Sequence, residues 1–135
     1  MAETYPIVGA HFRAPAKGIL EGLPSGAALT LRPEPDNLFD PNAVMVIVRS
    51  GDVPATAHER LAGILALWGF SLEEFIAQPE WHLGYVPRTR ACDLAPALSG
   101  CDAPALLTFG ATGQPSATRT TQLTTPTTEP QNAKV

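Results

Sequence analysis

EPDNLFDPNAV, residues 34–44, crowds turn formers, the carboxylates of Glu34, Asp36 and Asp40, two amides and one aromatic ring between two apolar runs. Leu29 and Leu31 precede it, and Val44, Val46 and Val48 follow it. Both runs have the two-residue spacing that sets side chains on one face of a strand. The stretch is therefore a shaped polar loop hung from strands at 28–31 and 43–48. The second strand is β-branched and almost continuously apolar, which predicts a central position in a sheet. Hydrogen-bonding Asn and Asp side chains beside Phe39 are the chemistry a binding loop on a rigid scaffold uses.

Working outward, residues 5–12 read as a first strand, with Ile7 and Val8 apolar and Gly9 permitting a bulge or close backbone approach. Gly18, Gly22, Pro24, Ser25 and Gly26 then mark a loop region. On the other side of the polar loop the period changes. Thr56 with Glu59, and Ser71 with Glu74, fit the S/T-x-x-E capping box, so two short helices are predicted. Leu61, Ile64, Leu65 and Trp68 give the first an apolar face, and Leu72, Phe75 and Ile76 the second. Gly69 and Pro79 end them. Residues 81–86 return to strand before Pro87. Residues 89–98 form a helix carrying Ala91, Leu94, Ala95 and Leu98, with Pro96 inside it and Gly100 as its stop, and 105–109 is a last strand. From Ala111 onward there are eight Thr and three Pro, and only Leu123 and Val135 are large and apolar. Residues 111–135 are expected to be a disordered Thr/Pro-rich tail.

The chain has 135 residues, of which 44% are hydrophobic, enough for one domain over 1–110. Fourteen Pro and eleven Gly favour short strands and turns over long helices. The expected class is mostly β with accessory helices, an α+β fold. A net charge of −4 lacks the field of a non-specific duplex binder, so any nucleic-acid site must be local. Cys92 and Cys101 are too few for a disulfide framework and have no zinc-like spacing. No metal or cofactor is expected. With no signal-like start and no membrane-length apolar run, a soluble cytoplasmic protein without membrane contact is expected. His11, His58 and His82 are scattered, and no nucleophile, Walker or Rossmann motif stands out, so the chain is expected not to be an enzyme.

Four segments, taken in order, carry a family likeness: IVGAHFR (7–13), EPDNLFDPNAV (34–44), LGYVPR (83–88) and ACDLAPAL (91–98). Together they resemble the HIRAN domain, which occurs in helicase-like repair translocases and as stand-alone bacterial and phage proteins. The resemblance implies an OB- or SH3-like small β-barrel. The helical pair at about 51–80 would be an insertion before the GYVPR strand, where family members usually have a short connection. It also implies a DNA-binding module that captures the 3′-hydroxyl end of single-stranded DNA in DNA repair or replication-fork processing.

On that likeness Asp40 accepts the terminal hydroxyl, Asn37 meets a base edge or sugar, and Phe12 and Phe39 stack on bases. Arg88 meets the DNA backbone, and Tyr85 and His11 add contacts. His11 stands where DNA-binding relatives carry Arg, and Arg13 is a neighbouring cation. The residues also admit other roles. Asp40 and Asn42 can cap the turn, Phe39 and Phe12 can be packing, and Arg88 and Arg90 can serve a helix start. The competing function is a protein-interaction or targeting module whose insertion, through Trp68, Phe70 and Phe75, docks a protein partner.

Overall fold

In the computed structural model, which describes residues 2–9 and 14–120, strands β2 (Ala28–Pro33) and β3 (Val44–Arg49) flank the polar loop as an antiparallel pair. Strands β1 (Ala2–Pro6), β4 (Glu80–Tyr85), β5 (Ala103–Phe109) and β6 (Pro115–Thr120) complete one six-stranded sheet, in the order β1-β6-β5-β2-β3-β4. Every pairing is antiparallel. β3 has a neighbour on each side, and Val44, Val46 and Val48 are fully buried.

The sheet curls. Beyond β1, Val8 bridges to Tyr85 of β4, the N–H groups donating to the opposite carbonyls at 2.9 and 2.8 Å. The two edge strands are thereby brought together, and the result is a half-barrel of mixed α+β class, compatible with a small β-barrel. Gly84 permits this approach, because a Cβ there would stand 2.5 Å from the Val8 carbonyl oxygen and 2.9 Å from Ile7 Cγ2. Leu83 is the extra residue of a bulge: Val46 pairs with Gly84 while Ile47 pairs with His82.

Helices α2 (His58–Leu67) and α3 (Leu72–Ala77) lie between β3 and β4 in the chain, as the sequence predicts. Ser71 caps α3 with a complete box: Glu74 N–H donates to Ser71 Oγ at 3.1 Å and Ser71 N–H to Glu74 Oε1 at 3.0 Å. The box expected at Thr56 does not form. A 3-10 turn over Ala55–Ala57 runs straight into α2, which leaves Ala57 at the cap. Leu61, Leu65 and Phe75 are buried, and Phe75 stacks on Trp81 with centroids 6.0 Å apart. Phe70 meets Trp81 edge-on, and Trp68 donates from Nε1 to Glu21 at 3.2 Å. These aromatics pack the insertion onto the rest of the fold, so Phe75 is not surface.

Three sequence expectations are corrected. Of the stretch read as a loop, Gly18 and Gly22 lie instead in helix α1 (Ala14–Gly22), while Pro24, Ser25 and Gly26 do form a turn. The two helical glycines are a contact face: a Cβ at Gly18 would come within 2.8 Å of the Trp68 ring, and one at Gly22 within 2.6 Å of Leu61 Cδ1. The first strand, expected over 5–12, is instead β1, ending at Pro6, and residues 10–13 lie outside the described residues. The tail expected over 111–135 contributes β6, which pairs with both β1 and β5. Its core residue is small, the fully buried Ala117, which suits close packing beneath the sheet. Residues 121–135 lie outside the described residues.

Helix α4 (Arg88–Leu98) starts directly after Pro87, keeps Pro96 in its last turn, and ends at Ser99, whose left-handed φ of 53° reverses the chain. No helix among the described residues is long and apolar enough to cross a membrane. Cys92 and Cys101 are free and exposed.

Candidate functional site

The polar loop is built by its own side chains. At its base Glu34 N–H donates to Ala43 O at 2.8 Å, continuing the β2–β3 ladder one step past the strands. At its tip Asn37 Oδ1 accepts the backbone N–H groups of Phe39 and Asp40 at 2.9 and 3.0 Å. Asn37 Nδ2 donates to Glu34 Oε1 at 2.6 Å. Asp40 Oδ1 accepts Asn42 N–H at 3.0 Å, closing the turn that returns the chain to β3. Tyr85, from β4, donates its hydroxyl to the same Glu34 oxygen at 3.1 Å. Its ring also meets His82 edge-on, with centroids 4.7 Å apart.

This bonding decides what each side chain has left to offer. Both acceptor sites of the Asn37 amide oxygen are taken by the loop, and one amide N–H is engaged. Asn37 therefore acts first as the loop's strut. Asp40 has one oxygen committed to the turn and the other, Oδ2, facing Arg88 Nε at 3.7 Å. That separation is too long for a strong charge-assisted bond. The Asp40 side chain is only 19% exposed, whereas that of Arg88 is 79% exposed.

The loop also holds apolar surface in water. Leu38 is 95% exposed and Phe39 90% exposed, although the backbone beneath them is fixed by the Asn37 bonds. A Phe with no core to fill is not packing, so the packing role admitted for Phe39 does not apply.

Val8, Asn37, Phe39, Asp40, Ala43, Tyr85, Val86 and Arg88 line one open cavity of about 370 Å³. Five of the residues expected at a site thus converge from three separate parts of the chain: Asn37, Phe39 and Asp40 from the loop, Tyr85 from β4, and Arg88 from the first turn of α4. The remaining three, His11, Phe12 and Arg13, lie outside the described residues. A second cavity of about 290 Å³, lined by Glu34, Asp36 and Leu38, shares Asn37, Phe39 and Tyr85 with the first. Those three side chains form a ridge common to both.

Sequence reading missed Glu34 and Val8. The partner that gives Glu34 its place, Tyr85, is 51 residues away, and Val8 acquires its wall position only through the bridge to β4.

A second polar cluster lies elsewhere on the sheet and is built differently. Arg32 donates to Glu80 through Nη1 and Nη2 at 2.8 and 3.0 Å, and to Asp102 through Nε and Nη2 at 3.0 and 2.8 Å. Arg49 approaches the same two carboxylates at 3.5 and 3.6 Å. Hydrogen bonds from Arg32 hold both carboxyl groups below their ordinary values. Among the described residues no group of three or more His, Cys, Asp or Glu is placed to hold a metal ion.

Comparisons with protein-family models, curated proteins and solved structures give no match to this chain.

Proposed function

We propose that the groove between the 34–44 loop and the start of α4 binds single-stranded DNA at its 3′-hydroxyl end, as a non-catalytic module in DNA repair or replication-fork processing. The proposal follows from the likeness of the four sequence segments to the HIRAN domain and an OB-like barrel of that type. The observation that carries it is the convergence of Asn37, Phe39, Asp40, Tyr85 and Arg88 on one open cavity.

In this reading a terminal base stacks on the Phe39 ring, a contact that generally contributes about 1–3 kcal/mol with little sequence preference. The 3′-hydroxyl donates a hydrogen bond to Asp40 Oδ2, while Oδ1 stays with Asn42. A 3′-phosphate would face that carboxylate with like charge. Arg88, loosely held, turns from Asp40 to a backbone phosphate, where its fork of donors fits two oxygens. The overall charge of −4 makes the attraction local, so binding is expected to be modest, with the shallow salt dependence of about one phosphate contact.

The test is a titration with a short labelled single strand ending in a 3′-hydroxyl, beside a blunt duplex of the same sequence. The single strand is expected to bind and the duplex to bind at least tenfold more weakly, roughly the contribution of one stacked base. Arg88→Ala should weaken binding of every strand and lower the salt dependence by about one phosphate contact. Absence of single-strand binding at low salt would refute the reading.

The second reading, a protein-interaction module, has support in Leu67 and Ile76, which are exposed on α2 and α3. Its test is a partner captured by the wild-type chain and lost in Leu67→Ser/Ile76→Ser, with single-strand binding unaffected.

A further inference from the structure

Phe39, the one aromatic of the loop, is 90% exposed, so its place depends on the backbone that carries it. The hydrogen bonds trace it to one atom. Glu34 Oε1 accepts from Tyr85 Oη at 3.1 Å and from Asn37 Nδ2 at 2.6 Å. Asn37 in turn passes the constraint on through Oδ1 to the N–H groups of Phe39 and Asp40. One carboxylate oxygen therefore joins β4 to the loop tip, and all three residues of the ridge between the two cavities hang from it. A side-chain oxygen with two lone pairs suits the position, because it can accept from both donors at once.

We propose that Glu34 is the positioning residue of the groove: it touches no nucleotide, and through Asn37 it fixes the backbone at Phe39 and Asp40 and ties the loop to Tyr85 before the strand arrives. The inference rests on the DNA-end reading for its functional consequence, but its structural half stands apart from that reading. Pre-organising a binding loop raises affinity by removing the ordering cost from the binding step. The backbone of Glu34 is itself anchored, its N–H bonded to Ala43 O and its carbonyl accepting Asn37 N–H at 3.0 Å, so the side chain works from a fixed base.

Two variants separate the possible roles. Glu34→Ala removes the acceptor, whereas Glu34→Gln keeps an amide oxygen that can accept from both Asn37 and Tyr85 and removes only the charge. Amide hydrogen exchange of Phe39 and Asp40, with Val46 in β3 as internal reference, reads the loop without any ligand. Glu34→Ala is expected to speed exchange at Phe39 and Asp40 about tenfold, the scale of one net hydrogen bond, and to leave Val46 unchanged. Glu34→Gln should stay within about twofold of wild type on the same scale. Affinity for the 3′-hydroxyl strand should follow: about tenfold weaker in Glu34→Ala and restored in Glu34→Gln.

Unchanged exchange in Glu34→Ala would overturn the positioning role. Equal defects in the Gln and Ala variants would overturn it too, because charge and not the acceptor would then be the operative property. If the wild-type chain binds no strand, the DNA-end reading fails, and the exchange measurements still decide whether Glu34 orders the loop.

Discussion

The Arg32 cluster and the Asp40 groove both set arginine against carboxylate on one small sheet, and they differ in how completely the charges are paired. Arg32 makes short hydrogen bonds to both Glu80 and Asp102, and Arg49 closes the network from the next strand. Arg32 commits donors to both carboxylates there, and the loosely placed member is Arg49, at 3.5 and 3.6 Å. In the groove, Asp40 and Arg88 stand 3.7 Å apart, Arg88 is largely solvated, and a Phe ring is held out in water beside them. Charges that satisfy one another hold strands together, whereas charges left loosely paired on a rigid loop, next to exposed apolar surface, are suited to something outside the chain.

The largest effect expected is at the wall both edge strands share. Gly84→Ala puts a Cβ against the Val8 carbonyl, where backbone must move, and should cost about 2–3 kcal/mol of stability by denaturant titration. It should also loosen Tyr85 and the groove while sparing the Arg32 cluster. Next is Phe39→Ala, which should lower single-strand affinity by about 2 kcal/mol. Its stability should change by less than about 0.5 kcal/mol, because the ring is solvated in the free protein.

Arg32→Ala should do the reverse: it should destabilise by about 1 kcal/mol, the upper range for a partly exposed network, and leave strand binding unchanged. A loss of binding in Arg32→Ala, or of stability in Phe39→Ala, would break the division between the two clusters.

The smallest effect is in acid. Glu80 and Asp102 are held below their ordinary values by hydrogen bonds from Arg32, so their folded form binds protons less readily than the unfolded chain. The stabilisation is fully present above about pH 4.5 and is lost as pH falls through the depressed folded values. Wild type should therefore show a steeper loss of melting temperature below about pH 4.5 than Arg32→Ala, most visibly at low salt.

The strands beside the polar loop were legible because alternation at Leu29–Leu31 and Val44–Val48 is a direct image of a buried face. So was α3, through the Ser71–Glu74 box. Helix α1 was not, since Gly18 and Gly22 signal turns to a local reading, and their use, admitting Trp68 and Leu61 of α2, exists only after packing. β6 escaped for a related reason: its core contribution is Ala117, a residue too small to register as an apolar pattern. At the site, residue types were legible and their division of labour was not. Asn37 has the chemistry of a ligand contact, yet its oxygen is filled by the loop. Glu34 was legible as a carboxylate of the loop but its role was not, because it acts through Tyr85, 51 residues away.

Asp40 Oδ2, the oxygen not committed to the turn, is the atom proposed to read a terminal hydroxyl. The measurement that bears on it most directly is the ratio of affinities for one single strand ending in a 3′-hydroxyl or a 3′-phosphate, taken for wild type and Asp40→Asn. Asn at this position keeps an oxygen for the Asn42 turn and removes the charge that would repel phosphate. Wild type should favour the hydroxyl end by about tenfold or more, and Asp40→Asn should bring the ratio close to one. Equal affinity for the two ends in wild type, or a preference that survives in Asp40→Asn, would contradict the account.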